Sequence, residues 1–175
     1  MKKFLIVVDM QKDFVDGALG TQEAVGIVPA VVREIAAAKA AGATVIATLD
    51  THTEEYLNTQ EGKKLPVEHC IKGTAGWQLD EAVEKALGNA MRVEKPSFGS
   101  LALPGLIKNF AGDEEVEIEL IGLCTDICVV SNALILKANF PESRVSVRKD
   151  CCAGVTKESH EAALKTLAMC QIDLI

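Results

Sequence analysis

The stretch that decides the fold of this chain is Gly122-Leu123-Cys124-Thr125-Asp126-Ile127-Cys128-Val129. It follows an apolar run over residues 116–121 and leads into a segment of helical character, so it marks the junction of a strand with a helix. Cys128 then lies in the first helical turn, where partial positive charge and free backbone N–H groups lower the pKa of a thiol and can hold an oxyanion. The position suits a nucleophile, and it equally suits a small buried thiol that only packs.

Short β-branched runs alternate with longer alanine-rich stretches along the chain. This alternation predicts an α/β fold in which helices cover a parallel sheet. The predicted strands are residues 4–8, 44–49, 90–94, 116–121, 144–149 and 172–175. The predicted helices are residues 25–41, 76–87, 103–110, 125–138 and 157–169. The longest irregular stretch is residues 51–75, and long loops in compact domains commonly carry function.

Composition narrows the class of protein. The 175 residues are 49% apolar and 25% charged, which predicts one soluble domain over residues 1–175. A net charge of −7 with no basic segment argues against nucleic acid or an anionic membrane as partner, so a small molecule is the expected ligand. No apolar stretch reaches membrane-spanning length, and Asp9 interrupts the N-terminal apolar run too early for a signal peptide. We therefore expect a cytoplasmic protein whose six cysteines are reduced thiols.

Four chemically useful side chains fall at the carboxyl ends of predicted strands. Asp9 follows the first strand, Asp50 the second and Lys95 the third. Cys128 opens the helix after the fourth strand. Ligands of doubly wound parallel sheets bind at this edge, where an acid, a lysine and a thiol would supply a proton acceptor, a positive charge and a nucleophile. The grouping indicates a cysteine hydrolase, although strands often end in polar residues for other reasons.

Three sequence blocks resemble those of the isochorismatase-like cysteine hydrolases. They are Ile6-Val7-Val8-Asp9-Met10-Gln11-Lys12-Asp13-Phe14, Glu94-Lys95-Pro96-Ser97-Phe98-Gly99-Ser100 and the stretch over residues 122–129. The resemblance covers nearly the whole chain. It implies the fold of that family, a Rossmann-like three-layer α/β/α sandwich with a six-stranded, mainly parallel sheet. It also implies a catalytic triad of Asp9, Lys95 and Cys128.

The resemblance implies a mechanism for these residues as well. The backbone N–H groups of Cys124 and Cys128 would form the oxyanion hole, next to a cis peptide bond between Leu123 and Cys124. Asp9 would take the thiol proton and pass it to the departing ammonia, while Lys95 stabilises the charges. Water would then hydrolyse the thioester.

A second group of residues offers metal ligands. Asp50 and His52 stand just past the second predicted strand, and Glu61 and His69 follow in the long loop. Carboxylates and histidines suit zinc, iron or manganese. The order resembles the nicotinamidase branch of the family, which has Asp-x-His after the second strand and a later histidine before a Gly-Thr-x-Gly turn. The resemblance implies a divalent metal, with zinc before iron or manganese, bound by Asp50, His52, His69 and Glu61, or by Glu68 in place of Glu61.

The expected substrate pocket departs from the nicotinamidase pattern. Many nicotinamidases have an aromatic residue shortly before the metal-binding histidine, where it packs against the pyridine ring. This chain has Leu65 in that neighbourhood. Phe14 remains as an expected wall, and Tyr56 is a further candidate for contact with the substrate. The resemblance therefore defines the chemistry more closely than the substrate.

Three further residues carry separate expectations. Cys151 and Cys152 follow the fifth predicted strand, and we expect them to pack in the interior. His160 lies early in the last predicted helix, where we expect it to face solvent.

Three functions fit the sequence. The first is a metal-dependent nicotinamidase that hydrolyses nicotinamide to nicotinate and ammonia in NAD salvage, through a cysteine thioester. The second is a related cysteine amidohydrolase that acts on another small amide or a ureido compound. The third is a non-catalytic thiol or metal-binding protein on the same fold, against which the complete triad argues. Since members of the family commonly form dimers or tetramers, we expect a homo-oligomer.

Overall fold

A parallel sheet of six strands forms the centre of the computed structural model, which describes residues 1–175. The strands are β1 (Lys2–Val8), β2 (Thr44–Asp50), β3 (Met91–Lys95), β4 (Val116–Leu123), β5 (Arg144–Ala153) and β6 (Asp173–Leu174). Their order across the sheet is β3-β2-β1-β4-β5-β6, with every pair of neighbours parallel. The order changes direction between β1 and β4, where the halves of a doubly wound sheet meet. This arrangement confirms the predicted α/β fold.

Seven α-helices connect the strands. They are α1 (Lys12–Val15), α2 (Gln22–Ala40), α3 (Gln60–Lys64), α4 (Glu81–Leu87), α5 (Leu103–Ala111), α6 (Val130–Asn139) and α7 (Lys157–Met169). A 3₁₀ turn at Tyr56–Asn58 precedes α3, and a π-helical turn at Thr125–Val129 precedes α6. Thr156 and Ser159 form a capping box that fixes the start of α7. None of the helices is long and apolar enough to cross a membrane.

Two apolar cores, one on each face of the sheet, hold the layers together. Alternate side chains of β1 enter different cores: Phe4 and Ile6 pack into one, and Leu5 and Val7 into the other. Helices α5, α6 and α7 cover the first face, while α1, α2 and α4 cover the second. Because burial of apolar surface is the main favourable term in folding, these two cores stabilise the sheet that carries the loops of the site.

One predicted helix begins later than expected. The pattern over residues 76–87 predicted a helix, but α4 starts only at Glu81, because Asp80 caps its first turn. Residues 76–79 instead form backbone hydrogen bonds with the loop that follows β1. They thereby hold that loop beside the carboxyl edge of the sheet.

Two further differences lie next to the site. The predicted helix over residues 125–138 opens as the π-helical turn and becomes regular only at Val130. The irregular stretch over residues 51–75 contains the 3₁₀ turn and α3, whose first turn is capped by Thr59. The π-helical turn and α3 are each too short to show a helical period in the sequence.

Gly122 lets β4 pass close to β1. Its φ is +114°, and a Cβ atom there would collide with the carbonyl group of Val8. The pairing of β4 with β5 also shifts register between Leu120 and Gly122. Such irregularities commonly redirect a strand beside a functional site, and here the next turn lies at the carboxyl edge of the sheet.

Candidate active site

The three residues of the predicted triad lie together at the carboxyl edge. Lys95 Nζ is 2.7 Å from Asp9 Oδ2 and 3.4 Å from Cys128 Sγ. The residues are 0%, 1% and 4% exposed for Asp9, Lys95 and Cys128. Asp9 has a φ of +47°, a backbone conformation that is uncommon outside glycine and concentrates at functional sites. The ends of β1 and β3 and the turn after β4 thus bring an acid, a cation and a thiol into contact.

Lys95 contacts four acceptors at the centre of the site. Its Nζ is 2.7 Å from Asp9 Oδ2, 3.0 Å from Ser97 O, 3.1 Å from Asp50 Oδ1 and 3.4 Å from Cys128 Sγ. Asp9 Oδ1 accepts from the hydroxyl of Thr48 at 2.6 Å, whereas Asp9 Oδ2 forms an ion pair with Lys95. Because a carboxylate oxygen has more than one acceptor site, Asp9 can take a proton while it stays paired with Lys95.

The electrostatics of the triad follow from burial and from the charges that compensate it. Burial raises the pKa of Asp9 above its ordinary value, although the neighbouring Lys95 opposes this shift. Burial disfavours the ammonium form of Lys95, but Asp9, Cys128 and Asp50 outweigh burial and raise its pKa. Lys95 therefore carries a fixed positive charge beside the thiol.

The expected low pKa of the Cys128 thiol is wrong. Burial raises the pKa of Cys128 well above the ordinary value, and the carboxylate of Asp9 raises it further, while Lys95 only partly offsets both. Position at the start of a helical segment favours a thiolate, but the sequence did not show that the sulfur is shielded from water. The raised pKa means that Cys128 is a thiol and not a thiolate at neutral pH.

The turn that carries Cys128 has the predicted cis peptide bond, between Leu123 and Cys124. The carbonyl group of Cys124 accepts hydrogen bonds from the N–H groups of Ile127 at 3.1 Å and Val129 at 3.0 Å, which closes the turn. The N–H group of Cys124 donates to no acceptor in the protein. An N–H without a partner beside a thiol is a donor available to a ligand.

A second cluster lies next to the triad. One oxygen or nitrogen atom from each of Asp50, His52, Glu61 and His69 lies within 4.8 Å of the others. His52 Nε2 is 3.1 Å from Asp50 Oδ2 and 3.8 Å from Glu61 Oε1. His69 Nε2 is 3.7 Å from the same oxygen of each carboxylate. Two imidazoles and two carboxylates therefore point at one centre.

This cluster fits a divalent metal. Four ligands at about 2.1 Å from a tetrahedral metal lie about 3.4 Å from one another, close to the contacts of the cluster. His69 Nδ1 is 2.8 Å from the carbonyl oxygen of Val67, to which it can donate, and this leaves the lone pair of Nε2 facing the centre. Contacts with His52, His69 and Lys95 overcome the effect of burial and lower the pKa of Asp50, which keeps this carboxylate ionised.

Asp50 connects the two groups of residues. Its Oδ2 faces the histidines, and its Oδ1 accepts from Lys95 at 3.1 Å. The side chain of Gln11 fixes the backbone of Asp50 from both sides, because Nε2 donates to the Asp50 carbonyl at 2.8 Å and Oε1 accepts from its N–H at 2.7 Å. The triad and the cluster therefore share a carboxylate that cannot move independently of either.

Both groups face a cavity of about 380 Å³. Cys128 and Cys124 line it together with Asp50, Glu61 and His69. Its apolar walls are Phe14, Leu19, Leu65, Phe98 and Ile127. A mainly apolar cavity with a few convergent polar groups is typical of a small-molecule site.

Two of the three expected pocket residues line the cavity. Phe14 and Leu65 line the cavity, but Tyr56 does not, and the expectation that Tyr56 contacts the substrate is wrong. Tyr56 is fully buried behind the cluster, with its ring centroid 4.8 Å from that of His52, and its hydroxyl donates to the carbonyl of Leu65 at 2.9 Å. Glu68 is exposed outside the cluster, which leaves Glu61 as the glutamate in position.

The remaining expectations have mixed outcomes. Cys151 and Cys152 are buried in opposite cores, as packing residues would be. His160 is half-buried instead of freely exposed, since its Nδ1 lies 2.8 Å from the hydroxyl of Thr125. Its helix packs against the turn after β4, a contact that helical periodicity alone does not reveal.

Three polar side chains that support the site were not predicted from the sequence. Gln11 and Thr48 hold Asp50 and Asp9, as described above. Asn132 donates to the carbonyl of Cys128 at 2.8 Å and accepts from the N–H of Ser100 at 2.9 Å. Asn132 stands four residues after Cys128, on the same helical face, and that spacing is the sequence signal that could have identified it.

Comparison with known proteins identifies relatives of this chain. An uncharacterized isochorismatase family protein, PncA, of Bacillus subtilis (strain 168) is 30% identical over 177 residues, which cover 96% of this chain and 95% of that protein. The nicotinamidase/pyrazinamidase of Mycobacterium tuberculosis is 25% identical over 188 residues, with 98% and 97% covered. The pyrazinamidase of Pyrococcus horikoshii, whose crystal structure contains zinc, aligns with a TM-score of 0.84 and 27% identity over 100% of this chain and 99% of that one. The family described as Isochorismatase domain matches residues 3–175, and the chain belongs to this family.

Proposed function

We propose that this amidohydrolase converts nicotinamide into nicotinate and ammonia through a thioester on Cys128, as one domain that serves NAD salvage in the cytoplasm. One observation carries the proposal: Cys128 and the cluster of Asp50, His69 and Glu61 face the same cavity. A pyridine carboxamide has two polar ends on one flat ring, an amide and a ring nitrogen. A cavity lined by both a thiol and a group of metal-binding side chains offers a partner for each of these ends.

In the first chemical step, Asp9 removes the proton of the Cys128 thiol and the sulfur attacks the amide carbon. The S–H bond breaks, the S–C bond forms, and the electrons of the carbonyl double bond move onto its oxygen. Two observations support Asp9 as the base. Asp9 and Cys128 both contact Lys95, which brings the carboxylate and the thiol together, and burial raises the pKa of Asp9, which makes it a stronger base than an exposed aspartate.

The oxyanion formed in this step is bound by the N–H groups of Cys124 and Cys128. The free N–H of Cys124 supports this role. When the intermediate collapses, the C–N bond breaks and Asp9 gives its proton to the nitrogen, which leaves as ammonia. A water molecule then attacks the thioester, Asp9 accepts its proton, and the released thiolate is protonated again. Lys95 keeps a positive charge beside Asp9 and Cys128 throughout.

The metal site has an orienting role in this proposal. Asp50, His52, Glu61 and His69 would hold zinc, iron or manganese, and the ion would orient the pyridine nitrogen directly or through a water molecule. The nucleophile is the cysteine, so the chain itself carries every proton transfer. Phe14 provides an apolar wall against which a ring can pack.

The test is ammonia release from nicotinamide by purified protein, before and after chelation and again after metal is returned. We expect release that chelation reduces and metal restores. A metal-loaded protein with a reactive Cys128 and no ammonia release would contradict the proposal. If no other amide is hydrolysed either, the non-catalytic thiol or metal-binding role replaces it.

A specific observation favours a second candidate, an amidohydrolase for a larger amide or a ureido compound. Leu65 and Phe98 are 38% and 44% exposed although both line the cavity, so its mouth is open and apolar. Its volume of about 380 Å³ lies in the range of sites that hold drug-sized ligands. Comparison of kcat/KM for nicotinamide and quinoline-3-carboxamide separates the candidates: preference for the single ring supports nicotinamidase, and preference for the fused ring supports the second candidate.

A further inference from the structure

The turn that carries the proposed oxyanion donors is held from outside by residues 155–160, which include the end of the connection from β5 and the first turn of α7. The hydroxyl of Thr125 lies 2.8 Å from His160 Nδ1. The carboxylate of Asp126 accepts from the N–H of Val155, with its two oxygens at 3.1 and 3.3 Å. Two consecutive residues between Cys124 and Cys128 are thus tied to one neighbouring segment.

The contact between Thr125 and His160 is partly buried and closely packed. Thr125 is fully buried, and His160 is the only partner of its hydroxyl group. A hydroxyl removed from water needs such a partner. The backbone also makes room for the histidine, because a Cβ atom at Gly154 would collide with His160. This close approach brings the first turn of α7 against the turn after β4.

His160 is not required by its own helix. The capping box of Thr156 and Ser159 already satisfies the first N–H groups of α7, with Ser159 N–H donating to Thr156 at 3.0 Å. Thr125 directly follows Cys124, whose carbonyl is held from inside by the N–H groups of Ile127 and Val129. The peptide unit that joins Cys124 to Thr125 is therefore held by its own turn and by the bond from Thr125 to His160, and the N–H group of Cys124 lies on the other side of the same Cα atom.

We propose that His160 is a positioning residue, which orients the N–H group of Cys124 toward the oxyanion by holding the hydroxyl of Thr125. This inference rests on the proposed function. Oxyanion donors act only within a narrow range of positions, and a displacement of about 1 Å can reduce the rate about 100-fold. His160 itself does not line the cavity and does not touch the substrate.

The test compares His160→Ala with His160→Asn, whose amide can occupy the place of Nδ1. For His160→Ala we expect kcat to fall about 10- to 100-fold, with KM and metal content nearly unchanged. His160→Asn recovers most of the loss. Thr125→Val lowers kcat to the same extent, and the double variant with His160→Ala loses no more than either single variant, because the two residues act through one bond.

A matched control separates positioning from stability. Ser159→Ala removes the capping box of α7 but leaves the bond to Thr125, so it lowers the melting temperature without lowering kcat. The amide resonance of Cys124 in a ¹⁵N spectrum provides a readout that needs no turnover. It moves in His160→Ala and stays in Ser159→Ala.

The outcomes distinguish this inference from the proposed function. A wild-type protein that does not hydrolyse nicotinamide overturns the proposed function, and the Cys124 resonance then decides the inference alone. If the resonance of Cys124 is the same in His160→Ala and wild type, or if an active wild type keeps its kcat in His160→Ala, the positioning role is wrong.

Discussion

The triad and the neighbouring cluster of Asp50, His52, Glu61 and His69 are built in different ways. Asp9 and Lys95 stand at the ends of β1 and β3, so hydrogen bonds of the sheet fix where their backbones lie. His52, Glu61 and His69 lie after β2, in a segment whose only regular parts are one 3₁₀ turn and the short α3. The triad pairs the carboxylate of Asp9 with the ammonium of Lys95, whereas the cluster brings two carboxylates and two imidazoles together at one point. The comparison teaches that the sheet fixes the residues at strand ends, while the side chains of the loop would depend on a bound ion to hold their carboxylates together.

Replacement of the proposed nucleophile, Cys128, should affect the triad alone and should have the largest effect. We expect Cys128→Ala to reduce turnover of nicotinamide by at least about 10⁴-fold, because Cys128 is the thiol in contact with Lys95 and next to the proposed base Asp9. Metal content, measured by elemental analysis, stays at the wild-type level. The control is Cys170→Ala, which removes an exposed cysteine and leaves activity intact. Substantial activity in Cys128→Ala would show that the reaction does not use this thiol.

Removal of the base should be the next largest effect. Asp9→Asn keeps the size of the side chain but cannot accept the proton, so we expect kcat to fall about 10²- to 10⁴-fold. Lys95 still has Asp50 as a charged partner in this variant. The rate of Cys128 alkylation at neutral pH should fall in parallel with kcat. A variant with normal kcat would mean that another group accepts the thiol proton.

One side chain of the cluster, Glu61, can be changed without changing a residue of the triad. Glu61→Gln should weaken metal binding at least about tenfold and lower activity at limiting metal, with recovery when metal is in excess. Glu68→Gln changes an exposed carboxylate in the same segment and serves as the matched control. Calorimetric titration of the two variants with zinc measures the difference. Equal affinities would exclude Glu61 as a ligand.

The smallest effect concerns the dependence of activity on pH. Asp9 acts as a base only when ionised, and burial raises its pKa above the ordinary value. The value of kcat/KM should therefore fall, about tenfold for each pH unit, as pH decreases through this raised pKa. Asp9→Asn should lack this acidic limb. A limb in the wild type at or below the pKa of about 3.9 that a free aspartate has would contradict the account of Asp9.

The same contrast explains what could be predicted from the sequence. The sheet, its strands and the meeting of Asp9, Lys95 and Cys128 follow from strand ends, since parallel strands present their carboxyl ends at one edge. Fewer features of the loop after β2 could be predicted from the sequence. Asp50, His52 and His69 were identified by the resemblance, but the choice between Glu61 and Glu68 depends on how the short α3 turns, which no period in the sequence reveals.

Burial accounts for the expectations that were wrong. The pKa of Cys128 was expected to be low because of its place in the chain, and it is raised because the sulfur is shielded from water. Tyr56 was expected at the substrate and instead packs behind the histidines. The contact of His160 with Thr125 depends on the packing of α7 against a distant turn. Each of these features is a property of three-dimensional packing between segments far apart in the chain.

The central claim is that Cys128 carries the acyl group of a pyridine carboxamide, and trapping of that intermediate tests it most directly. Protein mixed with nicotinamide is quenched in acid at early times and mapped by peptide mass spectrometry, and a parallel reaction contains hydroxylamine to intercept the thioester. We predict a nicotinoyl group on the peptide that contains Cys128, or the hydroxamate in its place, and neither product in Cys128→Ala. Ammonia released at the full rate, with Cys128 unmodified at every time and no hydroxamate formed, would contradict the account.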